Sequence, residues 1–83
     1  MDKKILVKLE LVFRKVFNDE KINISINDSA DTVNAWDSLS QIDIIAEIEK
    51  EFKIKIDFFE MVELDNVINI LSLIKDKLIN KTN

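Results

Sequence analysis

The sequence predicts an all-α protein: a small four-helix bundle of three longer helices and one short one, with a long loop between the first and second. Three observations point there. Apolar residues recur at helical spacing in three separate stretches of the 83 residues. Period-two alternation is confined to Ile22, Ile24, Ile26 and to Ile54, Ile56, too little for a sheet. Hydrophobic content of 47% against 34% charged suits a core with a solvated exterior.

The first helix spans about Lys3 to Phe17, where Ile5, Leu9, Val12, Phe13 and Val16 form one stripe. It should stop in the polar run Asn18, Asp19, Glu20. The segment KINISIND then reads as an extended loop that pegs its isoleucines into a helical core, and residues 27–35 continue as loop. Glycine and proline are absent, so Asn, Asp or Ser must make the turns.

The second helix begins at Asp37 or Ser38 and reaches about Phe52. Ile44, Ile45, Ile48 and Phe52 fall on its core side, while Leu39 and Ala46 lie opposite, flanked by Asp43, Glu47 and Lys50. Ser38 and Gln41 fit a capping box, with the serine as cap. A short piece around Phe59 to Leu64 allows two turns at most. The last helix starts at a cap, Asp65 or Asn66, and carries Val67, Ile70, Leu71, Ile74 and Leu78 on one face. With no repeats and no interior linker, residues 1–83 are expected to form a single domain.

Composition narrows the function. There is no Cys and no His, which removes thiol nucleophiles, the usual zinc sets and the default base for Ser38 as a hydrolytic nucleophile. Most self-contained enzyme mechanisms are thereby removed, and a non-catalytic role is the expectation. Lys8 and Glu10 interrupt the N-terminal apolar residues, and no later run approaches membrane-spanning length, so a cytoplasmic location without membrane insertion is expected. Residues 37–65 hold nine acids against three bases, which disfavours nucleic acid and favours docking onto basic protein surfaces.

The stretch Asp37, Ser38, Leu39, with the outward Asp43 and the run Ile48, Glu49, Lys50, Glu51, Phe52, resembles the acyl carrier protein family, including its peptidyl and D-alanyl carrier relatives. The resemblance continues through Ile56, Leu64 and Val67 and covers most of the chain from about residue 33; the first helix agrees in pattern only. It implies that the Ser38 hydroxyl, beside Asp37, carries a covalent 4'-phosphopantetheine arm donated from coenzyme A, whose thiol holds an acyl group as a thioester. Such a phosphodiester would lie at a helix N-terminus, where free N–H groups and the helix dipole favour an anion. The partners implied are a phosphopantetheinyl transferase, an acyl- or aminoacyl-loading ligase and acyl-transferring or condensing enzymes. They would dock a monomer through Leu39, Asp43, Ala46 and Glu47.

Three features depart from the family pattern: Ala35 with Trp36 before the motif, Ser40 after it, and the apolar Phe58, Phe59, Met61 and Val62 in the third helix. They suggest a specialised rather than housekeeping pathway. One alternative is an aminoacyl, peptidyl or D-alanyl carrier served by an adenylating enzyme. An alternative of another class is an unmodified helical adaptor in which Ser38 is only a cap.

Overall fold

The computed structural model describes residues 3–80 and contains four helices, with no strand among them. Helix α1 is Lys3–Phe17, α2 Ser38–Phe52, α3 Phe58–Met61 and α4 Val67–Asn80. The chain packs into 37 × 26 × 20 Å. Among the described residues, no helix is long and apolar enough to cross a membrane.

The predicted stripes are the faces that meet. Ile5, Leu9, Val12 and Phe13 of α1 are buried against Ile44, Ile45, Ile48 and Phe52 of α2 and against Val67, Ile70, Leu71 and Ile74 of α4. Val16 and Leu78 pack at the margin of this core. Helix α3 contributes no buried side chain of its own. It begins at Phe58, one residue before the expected start, and Leu64 is buried in the turn after it rather than within it.

The long connection from α1 to α2 is ordered by its side chains. Ile24 is buried and Ile22 and Ile26 are half-buried, as pegs into the helical core. Arg14 of α1 donates through Nε to the Ile22 carbonyl at 2.7 Å, and Glu10 Oε2 accepts from the Ile24 N–H at 3.0 Å. Side chains of α1 thus satisfy two backbone groups of the extended segment that would otherwise call for a partner strand. Further on, the Ala30 N–H donates to the Asp65 carbonyl and the Val67 N–H to the Asp28 carbonyl, so the loop also closes over the start of α4.

Two helices end in left-handed residues, Asn18 at φ 51° and Lys53 at φ 55°. Asparagine tolerates that conformation, as the polar turn after α1 requires. The lysine was not expected there. It serves as the α2 C-cap, with its N–H donating to the Glu49 carbonyl, and it does so because a chain without glycine must put a side chain where one is disfavoured.

Candidate functional site

Ser38 is the first residue of α2, and it is exposed. It is not the helix cap. The N-cap is Asp37, in extended conformation (φ −129°, ψ −172°), and its carboxylate accepts from the N–H groups of Leu39 at 3.0 Å and Ser40 at 2.9 Å. Ser40 Oγ returns the contact by accepting from the Asp37 N–H at 2.8 Å. The capping box therefore lies one residue earlier than the sequence suggested, with Ser40 in place of Gln41 as its reciprocal member. An aspartate competes well with a serine for the cap because its full charge strengthens both accepted bonds and faces the positive end of the helix dipole.

The Ser40 backbone N–H, first among several donors, holds the Asp37 carboxyl below the ordinary aspartate range. Two consequences follow for the serine. Its hydroxyl has no hydrogen bond to any described residue. Of the N–H groups expected to face an anion at the N-terminus of α2, Asp37 already occupies those of Leu39 and Ser40.

Gln41, released from the cap, does something else. Its Oε1 accepts from Trp36 Nε1 at 2.6 Å, and its Nε2 donates to the carbonyls of Met61 at 3.2 Å and Leu64 at 2.9 Å. Trp36 is buried with its ring edge-on to Phe13 of α1, 5.0 Å between centroids. Trp36 was assigned no structural role from the sequence, because it stands outside every periodic segment, and Gln41 was assigned only to the capping box. Trp36, Gln41, Ile42, Phe58, Met61 and Val62 line a largely apolar cleft of about 400 Å³, with Ser38 and Asp37 at its edge.

On the outer face of α2, Leu39 is 79% exposed, and Asp43 and Ala46 are exposed with it. Glu47 differs. It is half-buried, and Lys15 of α1 reaches its carboxylate at 3.3 Å. Phe58 and Phe59 lie edge to face, 6.0 Å apart, and are 66% and 81% exposed.

No protein-family model matches the chain, and no curated protein matches it. Among solved structures, it is similar to the solution structure of the holo acyl carrier protein from Geobacter metallireducens. The two share 38% sequence identity at a TM-score of 0.83, over 93% of this chain and 88% of that one. The chain belongs to the acyl carrier protein family. The likeness extends beyond the region from residue 33 and takes in α1, which the sequence resemblance matched only in pattern. As an acyl carrier protein homologue the chain is a non-catalytic carrier, in keeping with the absence of histidine and cysteine from the sequence.

Proposed function

We propose that Ser38 is the attachment point of a 4'-phosphopantetheine arm and that residues 1–83 act as one carrier domain, delivering acyl groups to partner enzymes. The observation that carries this reading is the serine hydroxyl itself: exposed, without a hydrogen-bond partner among the described residues, between Asp37 and Leu39 at the first position of α2. The relative with the same fold is a holo acyl carrier protein. When bound, the arm supplies the thiol that holds the acyl group as a thioester.

The residues fit such a group. Nothing packs over Ser38, so its hydroxyl is open to a transferase carrying coenzyme A. The helix dipole favours the phosphate, though Asp37 has taken the amides of Leu39 and Ser40 and adds a like charge. Ser38, exposed at the first position of α2, would hold the phosphate, and the arm would supply the thiol.

Leu39, Asp43 and Ala46 would form the docking stripe on α2, with Asp43 as its freely available charge. Glu47 contributes less, because Lys15 partly neutralises it. The apolar α3, with Phe58 and Phe59 exposed, supports a specialised pathway served by a loading ligase and acyl-transferring enzymes in the cytoplasm. Such a carrier works as a monomer that docks briefly.

Intact-protein mass spectrometry tests the attachment. Incubated with a phosphopantetheinyl transferase and coenzyme A, the protein should gain one phosphopantetheine mass, and Ser38→Ala should gain none. Absence of any gain with several broad-specificity transferases, or a gain that survives Ser38→Ala, would sink the assignment.

A further inference from the structure

The side chain of Gln41 joins three parts of the molecule: the loop before α2 at Trp36, α2 itself, and the end and exit of α3 at Met61 and Leu64. Its amide makes three hydrogen bonds with partners of fixed sense: the indole N–H can only donate, and the Met61 and Leu64 carbonyls can only accept. That set determines the orientation of the amide. It also defines the residue type, since glutamate has the reach but no donors, leucine has neither donor nor acceptor, and asparagine is one methylene shorter.

Helix α3 needs such a contact. It is four residues long and buries no side chain, so packing alone holds it weakly. Its own capping box at Asp57 and Glu60 orders its start, and Glu60 is bridged to Lys77 of α4 at 2.9 Å. Its last turn exposes the carbonyls a helix end leaves without intrahelical partners. Gln41 reaches across the cleft from α2 to two carbonyls of that turn and its exit. At the other end of the amide stands Trp36, which Phe13 keeps in the core.

We propose that Gln41 is a positioning residue that latches α3 to the first turns of α2, with Trp36 as its anchor, and so sets the width of the cleft beside Ser38. Ser38, Gln41 and Ile42 stand on one side of this cleft and Phe58, Met61 and Val62 on the other, with Gln41 spanning the two. Releasing the amide frees α3 to move away while α1, α2 and α4 keep their common core. The relevance of the cleft to cargo rests on Ser38 being the attachment point; the latch itself does not.

Two substitutions separate the halves of the latch, studied on the full, unmodified chain at pH 7. Gln41→Glu retains an acceptor for the indole but turns a carboxylate toward two carbonyl oxygens. Gln41→Leu loses both ends. Amide hydrogen exchange read residue by residue should show Met61 and Leu64, whose N–H groups donate to Asp57 and Met61, exchanging about ten- to a hundredfold faster in both variants. The amides of α1 and α4 should keep their parental rates.

Fluorescence of Trp36, the one tryptophan, supplies the second readout. Its emission should stay near the parental maximum in Gln41→Glu and shift in Gln41→Leu. Binding of anilinonaphthalene sulfonate should rise in both as the cleft opens. Unchanged exchange at Met61 and Leu64 in Gln41→Glu overturns the proposal, and so does acceleration spread evenly over all helices, which is what a merely structural glutamine predicts. Ser38→Ala should leave every one of these measurements at parental values, so the latch and the attachment point fail separately.

Discussion

Ile48→Ala is the sharpest test of how α2 divides its two faces. Ile48 lies in the middle of α2 with no exposed surface, in the core shared with α1 and α4. Alanine there removes buried methyl and methylene groups and leaves a void that its neighbours fill only partly, at a cost of about 2–5 kcal/mol. A chain of 83 residues has roughly 4–12 kcal/mol of total stability at the usual 0.05–0.15 per residue, so this one change consumes a large share. At about 4–8 °C for each kcal/mol in a domain of this size, the midpoint should fall by about 10 °C or more. Leu39→Ala, on the same helix but 79% exposed, should shift stability by no more than about 0.5 kcal/mol. Thermal melts and urea titrations of both variants decide it, with the urea slope expected to stay constant if only the native state is weakened. An Ile48→Ala protein that melts with the parent, or a Leu39→Ala protein that melts far below it, would show that the faces have been misassigned.

Lys53→Gly should raise the melting midpoint by about 2–4 °C, because glycine relieves a left-handed residue at φ 55° at some cost in unfolded-chain freedom; Asn18→Gly should gain less, and an unchanged or lower midpoint for Lys53→Gly refutes the strain. Asp37 has its folded pKa below the unfolded one, so its contribution is complete above the unfolded value and is lost as pH falls below about 4. Asp37→Asn should accordingly flatten the acid limb of the stability profile, and a limb as steep as the parent's would remove Asp37 as a cause. Asp43→Lys should slow modification by the transferase at low salt, with the deficit shrinking as salt rises and the melt unchanged; equal rates at low salt would take Asp43 off the docking surface. Ser38→Ala should melt within about 0.5 kcal/mol of the parent, since Asp37 rather than Ser38 caps the helix, and a clear loss of stability would restore a structural role to the serine.

The three long helices were legible because each carries a wide apolar stripe, and the partners of those stripes are one another. Details that depend on contacts between segments were not. The cap of α2 was displaced by one residue because Asp37 and Ser38 are both good caps, and only the pairing with Ser40 at 2.8 Å discriminates between them. The left-handed Lys53 has no sequence signal, since the usual marker is a glycine and the chain has none. Trp36 was seen as a variation beside the motif, whereas its burial depends on Phe13, 23 positions away in sequence. Glu47 looks outward on a wheel of α2 alone and meets Lys15 only when α1 is laid beside it.

These shifts bear on why a serine stands at position 38. A cap accounts for a serine before a helix only where that serine accepts the first free amides, and here the aspartate does so. The reciprocal partner is also present, in Ser40, and Gln41 is committed across the cleft to α3. Every local task at the start of α2 is thus assigned to a neighbour. Alanine would serve the helix at position 38 at least as well, given its higher propensity. A hydroxyl with no local task, open to solvent beside a cleft, in a chain of the acyl carrier protein family, favours attachment over the unmodified adaptor, whose only account of Ser38 was the cap.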